Sequence, residues 1–323
     1  MTVSRPQVSV VVPARDAGGH LPDALGSLQR QDLDLRDLEV VVVDDGSTDD
    51  TLAVLEEASA RLPLLRWVHH GAPQGVSAAR NRGIRESRGR WVTFLDPDDW
   101  YFPGHLAAML DAAERHDVDF LVCDQVQAYG NERRRVRAPE PRRHVPLDPR
   151  TGIMPTSRST MVNYVQVSSR FLSRRVVDDG LAVFDEQLPT AEDREWAWRL
   201  LLGTHRYAVV DAPGYVYRRA VTGSLTDVGD ARQLGFLEAY DTVLERLRRD
   251  GLDAYEPKVL RDVLAVLHHH VARRGAYADD VWHAMTARAR QLVGRFDKEV
   301  VTRQVAALGP ERVRAVRKQG VPL

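Results

Sequence analysis

Three carboxylates fall within four positions, Asp96-Pro97-Asp98-Asp99, at the end of an apolar run. Carboxylates one residue apart can hold a hard divalent cation through oxygen ligands, which makes Asp96 and Asp98 candidate ligands for Mg²⁺ or Mn²⁺. Such an ion suits a diphosphate, whose charge it bridges and neutralises as a leaving group departs. A second acidic cluster, Asp44-Asp45-Gly46-Ser47-Thr48-Asp49, also follows an apolar run. Its serine, threonine and last aspartate suit a turn and a helix N-cap. Asp44 and Asp45 exceed what capping requires, and a carboxylate there can accept from a ring amide such as that of uracil. Gly75-Val76-Ser77-Ala78-Ala79-Arg80 puts small residues at a helix start with Arg80 one turn in, where a guanidinium can grip phosphate or simply pack at the surface. Glu192-Asp193 opens another helix, favourable to its dipole, and a carboxylate there can act as general base on an acceptor hydroxyl. Tyr215, Tyr217, Arg218 and Arg219, then Ser224, read as a strand and a polar loop able to close over a diphosphate.

The elements that must position these groups follow from hydrophobic periodicity. Val8–Val12, Leu38–Val43, Leu64–Val68, Trp91–Leu95 and Asp119–Cys123 read as strands. Between them lie helical stripes: Leu21, Ala24, Leu25 and Leu28; Leu52, Leu55 and Ala58; Leu106, Met109, Leu110 and Ala113. Uniformly apolar strands alternating with helices imply an α/β fold, a mainly parallel sheet covered on both faces. Ligands of such sheets bind beyond the strands' carboxyl ends, where both acidic clusters fall. Residues 131–150, with arginines from Arg133 to Arg143 among prolines, are expected to form a mobile surface loop, its charge suited to a polyanion or anionic lipid headgroups. A helix is expected near Ala191–Leu202, a strand pair at Tyr207–Val210 and Tyr215–Arg218, and four helices after Gly229. The expected domains are therefore 1–228, carrying the chemistry, and 229–323, a helical module that packs on the core or on a second copy of the chain.

The 323 residues carry 45 basic and 46 acidic side chains, so no global field draws the chain onto nucleic acid. The single cysteine, Cys123, excludes an internal disulfide and fits a reducing compartment. The first apolar run is far too short for a membrane span, and the expected location is the cytoplasm, with peripheral contact at the inner membrane face. Pro13-Ala14-Arg15-Asp16-Ala17-Gly18-Gly19 lacks the glycine spacing of a dinucleotide-binding turn, which argues against an oxidoreductase.

Taken in order, Val11-Val12-Pro13, Val43 to Asp49, Ala79-Arg80-Asn81, Asp96 to Asp99, Glu192-Asp193 and Tyr217-Arg218-Arg219 through Ser224 resemble family 2 of the inverting glycosyltransferases, which have the nucleotide-binding GT-A fold. The likeness spans roughly Val8 to Thr226. It implies that Asp45 contacts the base, Arg80 the phosphate, and Asp96 and Asp98 the metal, with Asp193 the catalytic base beside Glu192. It extends the nucleotide-sugar set to Pro13, Arg15, Asp44, Arg218, Arg219 and Ser224. Many relatives have Thr-Tyr-Asn where this chain has Ala14-Arg15-Asp16, and Arg15 can stack in place of the tyrosine through its planar guanidinium. The overall plan resembles enzymes that decorate wall teichoic acids or build surface polysaccharides, which implies a UDP-linked donor and a glycan or polyol-phosphate acceptor. The competing expectation is a catalytically silent sugar-nucleotide scaffold on the same fold.

Overall fold

A computed structural model describes residues 5–219, 229–319 and 321. In chain order the elements are β1 (Val8–Ala14), α1 (Leu21–Leu28), β2 (Leu38–Asp44), α2 (Thr51–Ser59), β3 (Leu65–His69), α3 (Val76–Glu86), β4 (Trp91–Phe94), β5 (Trp100–Tyr101), α4 (His105–Arg115), β6 (Phe120–Tyr129), β7 (Glu132–Val136), β8 (Arg170–Ser173), α5 (Arg174–Asp178), α6 (Glu192–Gly203), β9 (Tyr207–Arg218), α7 (Gly235–Arg249), α8 (Glu256–Ala272), α9 (Asp279–Val293), α10 (Lys298–Leu308) and α11 (Pro310–Arg317). They fall into two compact units: Met1–Pro149 with Gln166–Glu186 and Leu202–Thr222, and Arg150–Val165 with Gln187–Leu201 and Gly223–Leu323. The unit that holds the helical tail thus also takes in two segments from the middle of the chain.

In the first unit the strands form one sheet in the order β3-β2-β1-β4-β8-β6-β9-β5, with β7 paired to β6. β1 pairs in parallel with β2 and β4, and β2 with β3. The far half is mixed: β8 runs antiparallel to β4 and β6, while β9 runs parallel to β6. Every residue of β1 and β2 is buried, as their unbroken valine runs require of strands covered on both faces. The chain runs outward from β1 through β2 to β3, then returns to β1's other side as β4. The strand order reverses there, so the carboxyl ends of β1, β2 and β4 stand at the switch point where sheets of this kind bind ligands. Pro13 is tolerated in this central strand because β4 pairs with β1 only as far as Val11, so no donor is needed from position 13 on that side.

The helix that carries Arg80 lies tight against β1. A Cβ at Gly83 would fall 2.2 Å from Val11 Cγ1, so only glycine lets α3 approach this closely. Gly83→Ala must push the helix off the strand, and we expect a loss of ~1–3 kcal/mol, the usual cost of overpacking. Denaturant unfolding measures it; an unchanged midpoint would show that α3 has slack.

Two expectations are corrected. The two strands expected at Tyr207–Val210 and Tyr215–Arg218 are one strand, β9, whose pairing with β6 shifts register between Cys123 and Gln125. Gly214, at φ 106°, lies between the two paired stretches. The arginine-rich segment is not a free loop. It builds β7, and Arg135 and Arg143 both pair with the buried Asp124, at 2.9 Å each, while Arg142 pairs with Glu140 at 2.9 Å. Asp124 is the feature that sequence reading missed, since it sits inside an apolar strand and gives no periodic signal.

In the second unit α7 and α8 pack together with α9, α10 and α11 around Leu237, Tyr240, Leu244, Val259, Val263 and Leu267, all buried. Among the described residues no helix is long and apolar enough to cross a membrane.

Candidate active site

The candidate site of the first unit is built from three strand ends. After β2, Asp45 is buried and its backbone N–H donates to Ala14 O at 2.7 Å, tying the β2 end to β1. Its carboxylate accepts from Gln74 N and Gly75 N at 2.8 Å each, and its Oδ1 lies 2.8 Å from His70 Nδ1. Asp45 therefore fixes the turn that launches α3, with little acceptor capacity left over. Asp44 is fully buried, 2.5 Å from His69 Nδ1, and accepts from Ser47 N at 3.3 Å. Gly46 adopts φ +75°, and a Cβ there would meet Pro73 at 3.1 Å.

The rest of this motif caps the start of α2 and also laces two loops together. Asp49 accepts from Gly18 N at 2.9 Å and from Thr51 N at 3.0 Å. Thr51 Oγ1 accepts from Ala17 N at 2.8 Å. Asp16 N donates to Ser47 Oγ at 2.8 Å, and Asp16 Oδ1 accepts from Thr48 N at 2.8 Å. Asp16 sits at φ 46°, a left-handed conformation that aspartate accepts more readily than most residues. Arg15 beside it is 57% exposed, its guanidinium 3.7 Å from Asp16 and otherwise open to solvent. An exposed planar cation thus stands at the position where the family resemblance leads one to expect a stacking side chain.

After β4 the acidic cluster turns back on itself, Asp99 N donating to Asp96 O at 3.0 Å. β5 follows, and α4 starts at His105 after Gly104 at φ 72°. Arg80 Nη2 donates to Asp96 Oδ1 at 3.0 Å while its guanidinium lies over the Phe184 ring at 5.2 Å. Arg218 reaches the same cluster from β9. Its backbone N–H donates to Asp99 Oδ1 at 2.7 Å, its Nε to Asp98 O at 2.7 Å, and its Nη2 to Asp23 at 2.9 Å. The guanidinium covers Trp100 at 4.7 Å.

Crowding shows in the electrostatics. Burial, then the charge of Asp96, raises the Asp98 carboxyl above the usual range, against the pull of His20 and Arg218. Asp99 is raised well above it by burial and by both neighbouring carboxylates. Burial and the charge of Asp99 push the Tyr215 phenol up in turn. The donor set consists of oxygens only and carries negative charge that is partly desolvated, which fits a hard divalent cation. Among the described residues no group of three or more such side chains is arranged around one point, so a cation held here would complete its shell with phosphate and water oxygens.

The structure thus brings Asp44, Asp45, Arg80, Asp96, Asp98 and Arg218 into one unit at neighbouring strand ends. Arg219 also lies there, extending β9 through its N–H to Ala128 O at 2.8 Å, with its guanidinium on Tyr217. Ser224 lies outside the described residues. Glu192 and Asp193 open α6 in the second unit, as the sequence places them, after Ala191 at φ 62°. Phe184, Trp100 and Asp23 were not legible as site residues: each is distant in sequence from the group it holds and belongs to no motif.

The model of the glycosyl transferase family 2 matches residues 9–180, just over half of the chain. Among curated relatives, the uncharacterized glycosyltransferase EpsJ of Bacillus subtilis is 27% identical over 224 residues, 69% of this chain and 64% of its own length. Poly(ribitol-phosphate) beta-N-acetylglucosaminyltransferase TarS of Staphylococcus aureus is 25% identical over 259 residues, 79% of this chain. The chain spans only 43% of TarS. The crystal structure of TarS 1–349 aligns with 98% of this chain and 88% of its own, at TM-score 0.71 and 20% identity. Its complex with UDP-GlcNAc aligns at TM-score 0.63 and 18% identity, over 97% of this chain and 92% of its own. The mannosyltransferase PcManGT of Pyrobaculum calidifontis, in complex with GDP-Man and Mn²⁺, aligns at TM-score 0.58 and 17% identity over 98% and 85%. A GT-A-like sheet, acidic strand ends at its switch point and the family match converge, and the chain belongs to glycosyl transferase family 2.

Proposed function

We propose that this glycosyltransferase is metal-dependent and inverting, and moves a sugar from a nucleoside diphosphate, most simply UDP, to a hydroxyl of a surface glycan or polyol-phosphate acceptor. The observation that carries the reading is the desolvated carboxylate cluster at the end of β4, bracketed by Arg80 and Arg218. The relatives' names add support: a poly(ribitol-phosphate) acceptor and UDP-GlcNAc for TarS, Mn²⁺ with GDP-Man for the mannosyltransferase. Residues 1–228 carry the chemistry in this reading and 229–323 the helical module, with action in the cytoplasm or at the inner face of the membrane.

Asp98 and Asp96 would hold the metal, which when bound supplies positive charge to a departing diphosphate. Asp193, with Glu192 beside it, removes the acceptor proton as its oxygen attacks the anomeric carbon and the nucleoside diphosphate leaves from the opposite face. A single base suffices because the guanidinium groups of Arg80, Arg218 and Arg219 oppose the leaving group's charge, where a glycosidase needs a carboxylic acid. Arg15, Asp44, Asp45 and Pro13 frame the base, and Ser224 is assigned to the diphosphate.

A panel of nucleotide sugars, each with and without Mn²⁺, tests this by thermal shift. A ligand specific to the folded state stabilises by ~2.7 kcal/mol at a hundred times its Kd. One UDP-sugar should shift the transition in the presence of metal and hydrolyse slowly without acceptor. Binding with no hydrolysis or transfer would favour a silent scaffold; no binding at all would defeat both.

A further inference from the structure

The second unit contains a cavity of about 440 Å³ that the proposed chemistry does not use. Its wall is cationic. Arg158, Arg194, Lys258 and Arg261 line it, and Asp262 is the one carboxylate among the lining residues. Lys258 is 1% exposed, and its protons are committed within the wall: Nζ donates to Asn163 Oδ1 at 2.7 Å and Arg158 O at 3.2 Å and lies 3.5 Å from Asp262. Asp262, itself buried, faces Lys258 and also favours the charge of Arg194 and Arg261, so within the wall one carboxylate stands against four cations. Arg194 sits beside the Tyr240 hydroxyl and the charges of Asp193 and Asp262, which favour its charged form.

Arg261 is the group left over. Its Nη1 is buried and donates to no partner among the described residues. Burial, first, and the like charge of Arg312 disfavour its guanidinium against the pull of Asp262, so a donor stands without an acceptor where positive charge is in excess. A buried donor without a partner costs ~1–3 kcal/mol, and charged groups cost more, which is reason to ask what fills it. Water would satisfy the hydrogen bond without offsetting the charge. Thr156, Ser157 and Ser159 add hydroxyl donors along the same wall. Guanidinium forks with hydroxyls around a space far larger than one water match a tetrahedral oxyanion.

We propose that this cavity binds a phosphate group, and, on the transferase reading above, a phosphodiester of the acceptor. Arg194 follows Asp193 directly in the first turn of α6, so the wall of the cavity and the assigned base share one helical turn and one compact unit. A phosphate seated on Arg194 and Arg261 would set an acceptor chain in register with that base. This makes the cavity a specificity element for anionic acceptors, separate from the residues assigned to the donor.

The test titrates the full chain by calorimetry with glycerophosphoglycerol, a phosphodiester, and with inorganic phosphate, both under saturating UDP and Mn²⁺ to fill the donor site. Arg261→Gln, and independently Arg158→Gln at an exposed side chain that cannot endanger folding, should each weaken diester binding about tenfold or more, the scale of a lost charge-assisted contact. UDP affinity should be unchanged in both. Diester binding equal in both variants and the wild type, or none in a wild type that binds UDP, overturns the proposal and leaves the transferase reading standing. Binding of inorganic phosphate alone keeps the phosphate site and overturns its assignment to the acceptor. Diester binding by a chain that fails to bind any nucleotide sugar keeps the site and defeats the transferase reading instead.

Discussion

Asp193→Asn is expected to cut turnover at least a hundredfold while leaving donor affinity close to that of the wild type, since general base catalysis contributes ~10²–10⁴ in rate. Asparagine keeps the shape and hydrogen bonding of the side chain at the start of α6 but cannot take a proton. Asp193 stands in the helix's first turn beside Glu192, where the dipole favours carboxylates, so some loss of stability accompanies the change. The preceding Ala191 holds φ 62°, a conformation that costs a non-glycine residue ~1–2 kcal/mol and so must be imposed by its surroundings. Strain of this kind clusters at functional sites. The measurement is kcat with the cognate donor and acceptor, alongside UDP-sugar affinity by titration. Unchanged kcat would falsify the assignment of the base; an equal fall in donor affinity would make Asp193 a binding residue. Glu192→Gln in parallel separates the two acids, because only the proton acceptor should lose turnover with KM intact.

Much of the first unit was legible because β1 and β2 are buried on both faces, which makes Val10–Val12 and Val40–Val43 unbroken apolar runs. The acidic turns then stood out against that background. What could not be read was how the carboxylates would be used. Beyond the base contact expected of it, Asp45 holds the Gln74–Gly75 backbone and faces His70, contacts 25 to 30 residues away that no local pattern encodes. The Ser47–Asp49 run read as a cap, and Asp49 does accept from the first N–H of α2, but the run also ties in the Asp16–Gly18 loop, again through a partner set by sheet order. The arginine-rich segment illustrates the same limit: composition marks charge and turns, but only the fold brings the single buried Asp124 to two of its arginines. Helical periodicity carried the tail well, the four helices expected after Gly229 standing as α7 to α10, whereas α11 has too little apolar repetition to be seen.

Asp98→Asn is expected to make the metal-free protein more stable and the enzyme nearly inactive. In the folded chain the Asp98 carboxyl titrates above its unfolded value, by burial and by the charge of Asp96. The folded state therefore binds more protons than the unfolded state across that window. The cost is fully present above the folded pKa and fades as pH falls toward the unfolded one. An amide removes this cost at neutral pH, so the transition without metal should rise, and the part of its pH dependence due to Asp98 should vanish. The same substitution removes a metal ligand in the proposed site. The stabilisation that Mn²⁺ and UDP together confer on the wild type should be largely lost, and turnover should fall by ~100-fold or more, since such an ion supplies several kcal/mol of charge stabilisation. Asp96→Asn must differ, because Asp96 also holds Arg80 at 3.0 Å; there the metal-free transition should fall. Opposite shifts in the two variants, read by calorimetry from pH 5 to 8 with and without Mn²⁺, would mean that the cluster is kept for the ion at the expense of the fold. A drop in both, with the metal response intact, would make the carboxylates structural and remove the ion from the mechanism.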